Sequence, residues 1–406
     1  MSGTPRIIVV GANLSGMAAA QHLPRELAVT VVDPNPWFEW LPNIHELVSG
    51  VKRSDTLRLP RARLIRAAGH RFVCARVEAL DARAGWVQLH NDRRLPFDVC
   101  IVAVGGINDT FGVPGADRFA MPFKSVADCA AIGERLADLM ARREPVSVVV
   151  VGGGLEGVEA LGEILRRYRE RPGLTAHLVE AAHRLLPGTP AALDRSVRAH
   201  GAGLPVCFHL GARVRRVTRG TVRLSSGEIL PSNVTIWTGG ATAAPLLHTA
   251  GLASGPKQWA AVTPTLQSAV ADNVVIAGDA AELSQPIGKQ AYYAIQMGSH
   301  AADTAIRLVR GEPARPFRPA AKPMLLAFGD LDTYLVVGGL VIAGTALALL
   351  KEAVFQMTMA QVDRPTSAVA LTALEHRLVS GLSEVALPSV SSLGALLRLP
   401  RVRILW

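Results

Sequence analysis

"IIVVGANLSGMAAA" (residues 7–20) is an apolar strand that runs into a glycine turn and out into an alanine-rich helix. Such a strand–turn–helix aims unpaired backbone N–H groups and the positive end of a helix dipole at one point, which suits a pyrophosphate. Gly11 supplies the tight turn and Gly16 the close helix–strand contact, but the middle position of G-x-G-x-x-G is Asn13. Asn tolerates left-handed backbone angles better than most residues, yet its side chain thickens the loop. The turn is therefore expected to be altered and still functional, with Ser15 able to hydrogen-bond a phosphate. Asp33, which ends the next apolar run "LAVTVVD", is placed to take ribose hydroxyls.

The same architecture returns in "VSVVVVGGGLEGVEALGEILRRY" (146–168), this time with all three glycines: Gly152, Gly154 and Gly157. Glu180 ends the following run "LTAHLVE", after a helix about one turn longer than the first. A carboxylate there favours NADH over NADPH, with His183 and Arg184 close enough in sequence to soften the preference. "FDVCIVAVGG" (97–106), "SNVTIWTGGA" (232–241) and "ADNVVIAGDAAEL" (271–283) read as further buried strands ending in small residues. Strands and helices alternate through the first 300 or so residues, the pattern of doubly wound α/β domains. Two dinucleotide sites in one chain imply electron transfer, a reduced nicotinamide in one passing hydride to a flavin in the other.

Composition narrows the alternatives. The 406 residues are 49% apolar and 19% charged, enough for large cores and too apolar for wholesale disorder. The formal charge of +10 comes from scattered basic residues with no zinc-ligand set or RNP-like aromatic motif, so no nucleic-acid partner is expected. Cys74, Cys100, Cys129 and Cys207 show no close spacing and imply a reducing compartment with inert thiols. No HExxH, G-x-S-x-G or zinc spacing occurs, and no metal is expected. The N-terminus lacks an h-region, so a cytoplasmic protein is expected.

Five stretches in order carry a family pattern: the Gly11 loop, "VDPNPWFEWLPNIHELVSG" (32–50), "IVAVGG" (101–106), "VVGGGLEGVEALGE" (150–163) and "VVIAGDAA" (274–281) with the helix after it. Over about residues 5–360 the chain resembles the two-dinucleotide-binding-domain flavoproteins. It is most similar to type II NADH dehydrogenases and to the ferroptosis-suppressor and apoptosis-inducing-factor group. The resemblance implies an α/β fold with two Rossmann-like domains and a smaller C-terminal region. FAD would be held by residues 1–115 and 242–325, NAD(P)H by 116–241, and residues 326–406 would form an acceptor-side region. It places Gly278 and Asp279 on the flavin's ribityl and phosphate side, Pro42 near the isoalloxazine, and Val104 and Gly105 along the flavin. Gly239 borders the nicotinamide nucleotide and Glu159 lies near the nicotinamide.

The departures concern the acceptor. Where type II dehydrogenases carry A-Q-x-A-x-Q, "AYYAIQMG" (291–298) keeps Gln296 but has Tyr292 at the first glutamine position. Lys289 matches a lysine of the apoptosis-inducing-factor-like branch. Residues 34–60 contain no Cys, so the redox disulfide of glutathione-reductase-type relatives is absent, and no Cys follows Cys207, which argues against sulfide:quinone chemistry. The expected activity is hydride transfer from NADH, or NADPH, to FAD and then to a quinone-like small molecule. The alternatives are reduction of a small redox protein, NADH sensing with slow turnover, and a biosynthetic reduction. A homodimer is left open.

The uncharged run "TYLVVGGLVIAGTALALL" (333–350) is 18 residues, at the short limit for a membrane span. With its glycines it reads as a strand, a Gly-Gly turn and a helix from about Ala343 to Met359. The tail "LGALLRLPRVRILW" (393–406) mixes apolar residues with Arg398, Arg401 and Arg403, which suits either a membrane interface, giving peripheral attachment, or docking against a core.

Overall fold

The computed structural model describes residues 4–320, 322–363 and 402–405, which form two compact units. Residues 4–40, 58–107 and 241–320 make the first. Residues 41–57 and 108–240 make the second, together with the described residues from Lys322 onward.

The first unit is built on a six-stranded sheet. Its strand order is Gln267–Ser268, Ala271–Ile276, Val99–Val102, Arg6–Val10, Ala28–Asp33 and Arg71–Cys74. All pairings are parallel except that of the two-residue edge strand. Ile7, Ile8, Val9 and Val10 are fully buried because the central strand is covered on both faces, the reason it reads as an unbroken apolar run. The helix Leu14–His22 follows the turn and crosses the helix Ala291–Arg310 at Gly298, where any Cβ would lie 2.0 Å from the Ser15 carbonyl oxygen.

The second unit holds a five-stranded parallel sheet in the order Ala120–Pro122, Val234–Trp237, Val146–Val151, Leu174–Glu180, Val206–Leu210. Each unit inserts a three-stranded antiparallel meander before its return strand: Val77–Asp81, Trp86–Leu89 and Arg94–Pro96 in the first, Val214–Val217, Thr221–Leu224 and Ile229–Pro231 in the second. The repetition seen in the sequence thus extends from the glycine turn to the whole layout of the sheet.

The second unit also carries a four-stranded antiparallel sheet of Met324–Phe328, Asp332–Val337, Leu340–Ala343 and Arg403–Leu405. The turn does fall at Gly338-Gly339, but the expected helix from Ala343 is displaced. Leu340–Ala343 pairs with Asp332–Val337 as a second strand of a hairpin, and the helix is Leu347–Val362. Both strands of the hairpin are buried along almost their whole length, which accounts for the unbroken apolar run, and no helix among the described residues is long and apolar enough to cross a membrane. Residues 393–401 and 406 of the tail lie outside the described residues. Arg403–Leu405 docks on the sheet edge, with Arg403 bonded to the buried Asp332.

Candidate cofactor turns and a buried charged cluster

The two glycine turns follow one backbone path. Gly11 and Gly152 both have strongly positive φ, +88° and +109°, which a side chain would strain. A Cβ on Gly16 would sit 1.9 Å from the Gly11 carbonyl oxygen, and one on Gly157 would sit 1.8 Å from that of Gly152. Asn13 and Gly154 each precede the first helical residue, with φ/ψ of −90°/−141° and −74°/−167°. Asn13 therefore occupies the backbone of a glycine without being left-handed, which corrects the expected use of its αL tolerance. Its Oδ1 instead accepts from the Glu39 N–H at 3.0 Å, so the side chain is directed to a neighbouring strand.

In neither helix does the N-cap side chain hydrogen-bond the first turn, so no cap side chain takes the place a ligand would hold there. A Cβ on Gly154 would meet nothing within 4 Å, which marks open space at the mouth of the second turn. A closely approaching phosphate fits these features in both turns.

The acids at the strand ends are tied in by the same device. Asp33 Oδ2 accepts from the Ala12 N–H at 2.7 Å and Glu180 Oε2 from the Gly153 N–H at 2.6 Å. The longer helix before Glu180 leaves the acid in register, since the added residues are absorbed in the helix and the turn that ends at Gly173. Asp33 also receives the Asn35 N–H and pairs with Arg61, a buried guanidinium whose pKa is lowered mainly by burial. In the first unit the fold brings Gly11, Asn13, Ser15, Gly16, Asp33, Val104 and Gly278 together. A Cβ on Gly278, at φ +71°, would meet the Ser15 hydroxyl at 2.6 Å, and one on Gly11 would meet the Val104 Cα at 3.1 Å. Gly105, also left-handed, follows directly. In the second unit Gly239 abuts Gly152 in the same manner.

Lys289 donates to the Asp279 carbonyl oxygen at 2.5 Å and lies 3.6 Å from the centre of the Trp259 ring. Burial is the main influence on its ammonium and lowers its pKa. The Tyr292 ring packs on Tyr293 with centroids 4.2 Å apart. Gln296 is engaged at both ends of its amide: it accepts from the Ala320 N–H at 2.9 Å and donates to the Ala320 carbonyl at 3.3 Å. All four cysteines are free, Cys100 and Cys129 buried and Cys74 and Cys207 exposed.

Glu159 is the sequence-selected residue with the most elaborate surroundings. It lies on the helix Leu155–Tyr168, which packs on Met324–Phe328 because Gly162 lacks a side chain: a Cβ there would be 2.4 Å from the Gly329 nitrogen. Gly133 likewise lets the helix Val126–Met140 meet the short helix Glu46–Ser49 at the Leu47 carbonyl. Glu159 Oε1 receives the Lys351 ammonium at 2.5 Å and the Ala327 N–H at 3.3 Å, while Oε2 is 3.5 Å from His45 Nδ1. Lys351 also donates to His45 Nε2 at 3.0 Å, so the neutral ring carries its proton on Nδ1, facing Glu159. Burial, then Lys351, Lys52 and Arg166, hold His45 well below the usual histidine range. Burial raises the Glu159 carboxyl, and Lys351 opposes the rise.

One helical turn on, Glu163 is 1% exposed and bonded by the Ser49 hydroxyl, with Arg166 at 3.5 Å. Burial pushes its carboxyl up to about 7. Lys52 bridges Glu46 at 3.7 Å and Glu352 at 2.8 Å. Sequence reading missed His45, Ser49, Glu163 and Lys351. A signal existed for Glu163, a second acid four residues after Glu159 and so on the same helix face. None existed for Lys351, a single cation after an apolar run. Pro42 lies in the half-buried turn Leu41–Asn43 just before this cluster. No His/Cys/Asp/Glu group among the described residues could hold a metal ion.

A family model described as pyridine nucleotide-disulphide oxidoreductase matches residues 5–298. The chain is 25% identical to a demethylphylloquinone reductase of Synechocystis, over 86% of this chain and 91% of that protein. It is 24% identical to a type II NADH:quinone oxidoreductase of Staphylococcus epidermidis, over 86% and 94%. The fold is similar to that of Plasmodium falciparum NDH2 in complex with NADH, with TM-score 0.79 and 15% identity over 88% of this chain and 95% of that one.

Proposed function

The chain belongs to the pyridine nucleotide-disulphide oxidoreductase family, and on that premise we propose that it is an FAD-dependent NADH dehydrogenase delivering electrons to a quinone. The observation that carries the reading is the pair of glycine turns with one backbone path, each closed by an acid bonded to the loop amide. The names of the similar proteins, a demethylphylloquinone reductase and a type II NADH:quinone oxidoreductase, support the quinone as acceptor. The family's disulfide chemistry has no place here, because residues 34–60 contain no cysteine and all four thiols are free.

FAD and NADH, when bound, supply the hydride and electron chemistry. The first-unit turn, with Ser15, Gly278 and Asp279, holds FAD, and the second-unit turn, with Gly154, Glu180 and Gly239, holds NADH. Glu180 presents a carboxylate where a 2′-phosphate would be repelled, so NADH is preferred to NADPH. Lys289 anchors the Asp279 backbone, and Tyr292 and Gln296 shape the helix that follows it. Glu159, held by Lys351 and His45, exchanges the proton that accompanies acceptor reduction.

A quinone is lipid-soluble, and Leu349, Leu350, Val354 and Met357 are exposed on the C-terminal helix, which suits peripheral attachment to a membrane surface. Vesicle cosedimentation that survives Leu350→Glu with Val354→Glu would rule that attachment out. The main reading is tested on the purified protein under argon. NADH should bleach a yellow flavin, and a soluble quinone should restore the colour. A preparation without flavin, or one that NADH cannot bleach, overturns it.

A further inference from the structure

The cluster around Glu159 has more acid than fixed cation. Glu46, Glu159, Glu163 and Glu352 are linked by ion pairs and hydrogen bonds to Lys52, Lys351 and Arg166, while His45 is neutral. Four carboxyls against three cations, in a largely buried site, leave one carboxyl favoured to keep a proton. Glu163 is the least exposed of the four, and the Ser49 hydroxyl can serve either its charged or its neutral form. Glu159 lies one turn away on the same helix face, where side chains four apart are neighbours. Ser49 is half-buried and ends its short helix just before Gly50 and Val51, which are exposed, so the hydroxyl side of the pair is the side nearest solvent.

We propose that Glu163 and Ser49 form a proton reservoir for the Glu159 site. The proposal rests on the quinone-reductase reading. NADH delivers two electrons with one hydrogen nucleus, whereas a quinol carries two hydrogens, so each turnover takes one proton from the medium. The O–H bond of Glu163 breaks, an O–H bond forms on the Glu159 carboxylate as that proton is called for, and Glu163 is recharged from water beside Ser49. Facing Glu163 are Arg166 on its own helix, Ser49 and Glu46 on the short helix, and Lys351 on the C-terminal helix. Arg166 and Lys351 favour the ionised form and Glu46 the protonated one. Burial dominates and places the exchange near neutral pH.

The test uses the flavin-loaded enzyme and two variants. Wild-type turnover should fall as pH rises through about 7, the range of the Glu163 carboxyl. Glu163→Gln should remove that limb and lower turnover by less than the ~100-fold expected for loss of a direct acid. Ser49→Ala removes a bond that stabilises the carboxylate, so the limb should move to higher pH. Infrared pH titration of the resting protein gives a readout apart from turnover: a carboxylic-acid band should titrate near neutrality in the wild type and be missing in Glu163→Gln. A band that persists in Glu163→Gln, or a limb unmoved in both variants, overturns the reservoir. If Glu163→Gln does not fold, the direction of the Ser49→Ala shift decides. Flavin bleaching by NADH in the same samples separates the two failures, since its absence in wild type sinks the electron-transfer reading and its presence with an unaltered limb sinks the reservoir alone.

Discussion

Lys351 Nζ lies 2.5 Å from Glu159 Oε1, a contact between residues 192 apart in sequence, and the same ammonium reaches His45 Nε2. One cation therefore orders the acid and the imidazole at once. Glu159→Gln should keep the flavin and lower turnover by ~100-fold, the smaller end of what a positioned acid contributes. Lys351→Met should lower stability by about 3 kcal/mol, because it leaves a buried carboxylate without its partner. It should also move the Glu159 titration to higher pH, since Lys351 holds that carboxyl down. Denaturant unfolding and pH–rate profiles check both.

Asn13 is predicted to be dispensable for cofactor binding. Its backbone matches that of Gly154, and its amide serves Glu39 instead of the turn. Asn13→Gly should purify with a full complement of flavin and lose about 1 kcal/mol of stability for the missing hydrogen bond. Loss of flavin from that variant would show that the side chain works in the site.

Gly157 should admit no side chain. A Cβ 1.8 Å from the Gly152 carbonyl must push helix from strand. Gly157→Ala is expected to weaken NADH binding by at least tenfold and to cost about 1–3 kcal/mol, as overpacking does. Flavin content should stay intact, because the contact lies in the second unit. Titration of flavin bleaching against NADH measures the effect.

Replacing Glu180 should change the choice of nicotinamide. Glu180→Ser removes the carboxylate and frees the Gly153 and Ala182 amides that it now accepts from. The KM for NADH should rise about tenfold, consistent with 1.4 kcal/mol of lost contact, while that for NADPH should fall or hold. Equal changes for both nucleotides would mean that Glu180 only braces the loop.

Glu163 ties stability to pH. Its folded-state pKa is above the value of a free glutamate, so its contribution is complete at pH below about 4.5 and is lost as pH rises through about 7. At pH 8, Glu163→Gln should therefore be more stable than wild type by on the order of 2–3 kcal/mol, and the gap should close towards pH 4. Thermal melts across that range provide the comparison.

Both glycine turns, their acids and the strands around them are legible in the linear chain. A buried parallel strand needs an apolar run, and a turn against a helix needs glycine where backbone meets backbone. Those demands act within about 30 residues, the length of one strand–turn–helix–strand unit. Asn13 could be misread because sequence shows which side chain is present and not where it is directed; a single bond to Glu39 decides that.

The charged cluster was decided by the tertiary fold. His45, Glu159, Glu163 and Lys351 lie on three separate segments, and all but Glu159 read alone as ordinary polar residues. They meet because Gly133 and Gly162 let helices approach bare backbone, and their charge states follow from the water that this packing excludes. Desolvation depends on everything that surrounds a group, so no local pattern along the chain encodes it.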